Sequence, residues 1–227
     1  MATLNGIHHL AISTNNMKEQ IAFFSEVLEM ELVALYWMHG TKGCWHGFMK
    51  LNDQCSLAFV FHPKNANGQV QLGTTHAAHG AGESAPGTMQ HVSFNVETDE
   101  ELLYMRDRIR SKGVNVMGPI EHGMCKSLYF AGPENLVLEI ASSEQPINPK
   151  AWIDPEVVAL AGISEEELAR YKSPTKYNGE KGLKQPPYDP VKPHLAYPEK
   201  VYKNLLATPD EILIERGSHT EPPVAVD

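Results

Sequence analysis

Two stretches of this chain carry the same succession of hydrophobic patterns. Ile7-His8-His9-Leu10-Ala11-Ile12-Ser13 alternates as a strand does, and Met17–Leu28 then sets Ile21, Phe24 and Leu28 on one helical stripe. Strand-like runs follow at Glu31–Trp37, Cys44–Leu51 and Ser56–Phe61. The order then begins again. Gln90–Val96 alternates, Asp99–Lys112 puts Leu102, Met105 and Ile109 in helical register, and Val114–Met117, Lys126–Phe130 and Leu136–Ala141 read as strands. Each half is expected to be a βαβββ module, at about residues 5–62 and 88–142, and such a repeat sets the architecture before any single residue is interpreted. The fold class expected is α+β. The segment His62–Thr88 between the modules is rich in Gly, Asn, Ala and His and reads as a long loop, a length that usually means either function or disorder.

Proline marks off the C-terminal part of the chain. Residues 1–145 hold four of the 16 prolines and 146–227 the other twelve, so a compact domain is expected at 1–145 and an extended tail at 146–227. The tail offers one short helix around Ser164–Tyr171, where Ser164 and Glu167 have the spacing of a capping box. Its Tyr188, Leu195, Tyr197 and Tyr202 point to contact with the domain or with a neighbouring subunit, hence a homo-oligomer.

Composition narrows the class. A chain of 227 residues with 42% hydrophobic and 21% charged residues can bury a sizeable core. It has no apolar run of the roughly 18 residues a membrane span requires. The opening MATLNGIHHLAIS has neither a basic nor an apolar leader segment, and Cys44, Cys55 and Cys125 show no CxxC spacing, so a reducing, cytoplasmic setting is expected. A net charge of −9 without a basic cluster speaks against a nucleic-acid partner. Seven of the 11 histidines precede residue 80, which directs attention to imidazole chemistry.

The opening strands of the two modules align as His9-Leu10-Ala11-Ile12-Ser13 and His91-Val92-Ser93-Phe94-Asn95. Alternation puts each leading histidine on the face away from the helix, with His8 on the helix side. In Leu136-Val137-Leu138-Glu139-Ile140, Leu138 and Ile140 face the helix, so Glu139 faces with the histidines. A turn near Glu134 would pair Tyr129 with Glu139, and Asn135 sits where that turn needs positive φ. An acid within an apolar strand costs several kcal/mol unless paired with or bound to a cation. Two imidazoles and one carboxylate form a set that leaves open positions and suits Fe(II).

These residues resemble the vicinal oxygen chelate superfamily, which pairs βαβββ modules into a cup around a divalent metal. The resemblance rests on His9-Leu10-Ala11, His91-Val92-Ser93 and the run from Leu128-Tyr129 through Pro133 and Asn135 to Glu139. Within that superfamily the pattern is similar to type I extradiol ring-cleaving dioxygenases, with Ile120-Glu121-His122 completing the signature. The resemblance implies His9, His91 and Glu139 as iron ligands, with His122 and Tyr129 as donors near the substrate. It also implies a small aromatic diol and O2 as substrates. Where those enzymes carry an acid/base histidine before a Ser/Thr-aliphatic-Ala strand, this chain has Cys55 before Ser56-Leu57-Ala58, and His76 or His79 could supply the function instead. Two other readings stay open: a glyoxalase-, epimerase- or lyase-type enzyme using Mn, Zn, Ni or Co, and a binding protein of the bleomycin-resistance kind. The first would need a fourth ligand, and the end of the first module offers Ala58 and Phe59, with His62 just beyond.

Overall fold

Alternating residues put His9–Thr14 into a strand, β1, whose Ile12 and Thr14 are buried while His9, Ala11 and Ser13 occupy the other, exposed face. In the computed structural model, which describes residues 4–179 and 181–225, β1 leads to helix α1 (Met17–Glu26) and strands β2 (Glu31–Trp37), β3 (Trp45–Asn52) and β4 (Cys55–Phe61). The second module repeats the order as β5 (Val92–Val96), α2 (Asp99–Ser111), β6 (Val116–Glu121), β7 (Lys126–Ala131) and β8 (Val137–Ser142). Asn16 caps α1 by accepting from the Glu19 N–H, and Thr98 and Glu101 close a capping box at the start of α2. Each module is a four-stranded mixed sheet, ordered β1-β4-β3-β2 in the first and β5-β8-β7-β6 in the second. The first and last strands of each module pair in parallel, and the others are antiparallel. The chain therefore forms the paired α+β modules that its repeat implied.

The helix-facing residues build one core across both modules. Phe24 of α1 is fully buried, with its ring 5.1 Å from Phe59 and 6.2 Å from Phe94, so one side chain joins the two sheets. Leu102, Ile109, Leu128, Leu138 and Ile140 complete the core from the second module. Polar contacts add to the join. Arg108 of α2 pairs with Glu29 at 2.9 Å and donates to the Glu26 carbonyl. Glu134, in the β7–β8 turn, accepts hydrogen bonds from Thr14 Oγ1 (2.6 Å), the Asn15 N–H (2.7 Å) and Gln20 Nε2 (2.7 Å). Burial opposes ionisation of Glu134, but the bonds from Thr14, Gln20 and the Asn15 and Asn16 N–H groups hold its carboxyl below the usual range. The turn itself takes positive φ at Glu134 as well as at the expected Asn135.

Strand β6 runs to Glu121 rather than ending near Met117 as the sequence suggested. Pro119 is accommodated within β6 because this strand is the edge of its sheet, where a proline leaves no ladder bond unmade. The register instead shifts between Met117 and Ile120.

The chain divides into two compact units, residues 4–164 and residues 165 onward. Helices α3 (Pro149–Trp152) and α4 (Pro155–Leu160) belong to the first unit; α5 (Glu165–Lys172), α6 (Glu199–Ala207) and α7 (Asp210–Gly217) belong to the second. One helix was expected beyond residue 146, and the described residues contain five. Proline signalled an extended chain, but here it starts helices. Pro149 and Pro155 stand at the first turns behind the caps Asn148 and Asp154, and Pro198 and Pro209 directly precede α6 and α7. At those positions the missing N–H would have had no helical partner. Within the second unit, Tyr188, His194 and Tyr202 pack ring to ring at 5.5–5.9 Å, so the proline-rich run folds back on α6. Among the described residues no helix is long and apolar enough to cross a membrane.

Candidate functional site

Strand register gathers the second module's polar residues. Glu139 pairs with Ser93 on β5 and with Tyr129 on β7, the partner that the turn position implied. Residues in register share a face, and His91 lies two before Ser93. His91 Nε2 stands 2.8 Å from Glu139 Oε2, and Glu139 is only 6% exposed. The Tyr129 ring lies edge-on to His91 at 6.3 Å, and its Oη is 3.1 Å from His122 Nε2. Burial, and then the charge of Glu139, push the Tyr129 phenol above its usual range, so it keeps its proton at neutral pH.

The inter-module loop packs onto this group. Gly80 lies against the Tyr129 ring, where a Cβ would fall 3.0 Å from Cε1, so only a glycine approaches this closely without displacing the ring. Gln90 Nε2 donates to the carbonyls of His79 (3.3 Å), Gly80 (2.8 Å) and Gly82 (3.2 Å), and Gln90 Oε1 meets His91 Nδ1. Loop and sheet bound a cleft of about 230 Å³ lined by Leu72, His79, Gly80, Met117, Tyr129 and Leu136 among others. Of the two loop histidines, His79 is the one in this cleft. The His76 ring is held by Thr75 Oγ1 at 2.9 Å.

The first module contributes differently. The exposed His9 sets its ring edge on Phe48 at 5.6 Å, and its Nδ1 is 2.8 Å from His8 Nδ1. The expected place of His8 on the helix side is corrected: β1 begins at His9, so strand alternation does not govern His8, and its ring turns to His9. Cys55 falls, by alternation, on the face opposite Ser56, the residue in register with His9. Among the described residues no three His, Cys, Asp or Glu side chains form a group that could hold a metal ion. The structure unites His91 and Glu139, and His9 lies outside that pair.

Imidazole nitrogen and carboxylate oxygen are donors that divalent first-row ions accept. A buried carboxylate meeting an imidazole nitrogen head-on therefore fits part of such a site.

Two residues escaped the sequence reading. Gln90 is one; nothing in strand periodicity marks it. His46 is the other. Its ring packs against Tyr36 and Phe48, and both ring nitrogens are buried without a hydrogen-bond partner among the described residues. Burial, and then His9, lower its pKa and keep it neutral. Alternation along β3 could have placed it on the histidine face with Phe48 and Lys50.

The chain is similar to several known proteins. The profile of the Glyoxalase/Bleomycin resistance protein/Dioxygenase superfamily matches residues 6–140. Biphenyl-2,3-diol 1,2-dioxygenase 2 of Rhodococcus globerulus is 24% identical over 132 residues, which is 58% of this chain and 60% of that protein's length. Among solved structures, a glyoxylase/bleomycin resistance protein/dioxygenase domain from Frankia sp. EAN1pec is 16% identical with a TM-score of 0.48, covering 63% of this chain and 100% of that one. The fosfomycin resistance protein FosX from Listeria monocytogenes, complexed with Mn(II) and sulfate, is 16% identical with a TM-score of 0.42, covering 62% and 93%.

Proposed function

Because the chain belongs to the glyoxalase/bleomycin resistance protein/dioxygenase superfamily, we propose that it is an Fe(II)-dependent extradiol-type dioxygenase that opens the ring of a catecholic substrate with O2. The observation that carries this reading is the pairing of His91 with the buried Glu139, with Tyr129 beside it, while the first module has Ala58 at the place equivalent to Glu139. His9, which opens the matching strand of the first module and lies outside the His91–Glu139 pair, is the third donor that this reading requires. Ala58 argues against the four-ligand isomerase or lyase site, and His62 offers no substitute, since its Nδ1 accepts from the Lys64 N–H. Similarity to a biphenyl-diol dioxygenase supports the same substrate class.

Iron held by His9, His91 and Glu139 would supply open positions and a path for electrons between diol and O2. The chain's own groups manage protons and water. Tyr129 stays protonated beside Glu139 and serves as a donor. His122, in contact with Tyr129 Oη, can receive or return that proton. His79 lines the cleft beside Tyr129 and is placed for a second proton transfer. Leu72, Met117 and Leu136 give the same cleft an apolar wall suited to an aromatic ring. The test is reconstitution with Fe(II) under anaerobic conditions, then oxygen admitted with a panel of catechols. Oxygen uptake with a coloured ring-opened product is expected; no uptake and no product across the panel would overturn the proposal.

A further inference from the structure

One terminal atom of the Gln90 side chain sits among three carbonyl oxygens, those of His79, Gly80 and Gly82, at 3.3, 2.8 and 3.2 Å. An oxygen cannot occupy such a place, so that atom is the amide nitrogen, and the atom facing His91 Nδ1 is the amide oxygen. An acceptor at Nδ1 requires Nδ1 to carry the proton. In the neutral ring Nε2 then presents a lone pair toward Glu139 Oε2, itself an acceptor, at 2.8 Å. Two acceptors this close need a proton or a cation between them. The loop thus dictates, through one side chain, which nitrogen of His91 is offered.

We infer that Gln90 is a positioning residue that ties the 79–82 loop to the His91 ring and holds Nε2 as the nitrogen available to a metal ion. The inference rests on the proposed reading of His91 and Glu139 as ligands of a divalent cation. The first module engages its own histidine similarly, with His8 at His9 Nδ1, but His8 carries no amide to anchor a loop.

Two substitutions separate the two tasks of Gln90. Gln90→Glu keeps an acceptor for the Nδ1–H but cannot donate to the carbonyls; Gln90→Leu does neither. Affinity for Co(II), read from its visible absorption and by calorimetry, is measured on the full chain without substrate, together with amide hydrogen exchange over residues 72–88. Loss of an outer hydrogen bond to a ligating histidine typically weakens metal binding about 10- to 100-fold. The expectation is a fall of that size in Gln90→Leu, wild-type or tighter binding in Gln90→Glu, and faster loop exchange in both. A Gln90→Leu affinity within about twofold of wild type, or equal losses in the two variants, would overturn the role of Gln90. A wild-type chain that binds no divalent cation would overturn the reading of the site itself.

Discussion

Ala58 holds in the first module the place that Glu139 holds in the second. Ala58 lies between Ala11 and Phe48 in register, as Glu139 lies between Ser93 and Tyr129. The repeat is symmetric in its strands and asymmetric in its chemistry. One module carries the carboxylate and the phenol; its partner presents a methyl group and a phenyl ring. A site on this frame therefore has at most one acidic ligand from the two equivalent positions.

Replacing Glu139 by Ala removes the proposed acidic ligand and also takes a carboxyl group out of a buried place. Metal affinity is expected to fall by more than the roughly 100-fold that loss of a supporting hydrogen bond causes. The metal-free fold should survive, so near-UV circular dichroism unchanged beside lost Co(II) or Fe(II) uptake is the outcome to look for.

Tyr129→Phe deletes the phenol that contacts His122 and leaves the ring in place. General acid catalysis contributes typically 10²- to 10⁴-fold, so kcat is expected to fall by about 10² or more, with KM changed only a few-fold. Because burial and Glu139 raise the Tyr129 pKa, the wild type should show no alkaline loss from this group below about pH 10. Steady-state oxygen uptake across pH checks both statements.

Glu134→Ala breaks the bond between the β7–β8 turn and α1. It strands the amide of Gln20, which is fully buried and whose Oε1 already lacks a partner among the described residues. Leaving such a group unsatisfied costs about 1–3 kcal/mol, readable as a lower urea midpoint. Glu134 is held below its usual pKa by its hydrogen bonds, so its stabilisation is complete above the unfolded carboxyl value of about 4.3. It is lost as pH falls through the lower folded value. The gap between wild type and variant should thus be constant down to about pH 5 and close below it.

Phe24→Ala opens the core where the modules meet, against Phe59 and Phe94. Such a truncation costs about 3–5 kcal/mol. Because one ring serves both sheets, the 4–164 unit should still unfold in a single transition at a lower midpoint, and separate transitions for its two modules would contradict a shared core.

The paired modules could be read from the chain because strand and helix patterns are local: the strand-like run Glu31–Trp37 has the bounds of β2. The pairing of Tyr129 with Glu139 also followed from the sequence, since a short turn fixes register. The helices after residue 146 were underestimated because one proline signal serves both to break a helix and to start one.

Local pattern determined that His91, Glu139 and Tyr129 would share a face, because side chains in a sheet must alternate. Only the tertiary structure decided that Gln90 would bind three loop carbonyls and the His91 ring at once, that Glu134 would reach Thr14 and Gln20, and that the ring nitrogens of His46 would be buried without a hydrogen-bond partner among the described residues. The bonds from Glu134 span more than a hundred residues, and those from Gln90 depend on how an irregular loop settles. Neither has a period for a sequence to display.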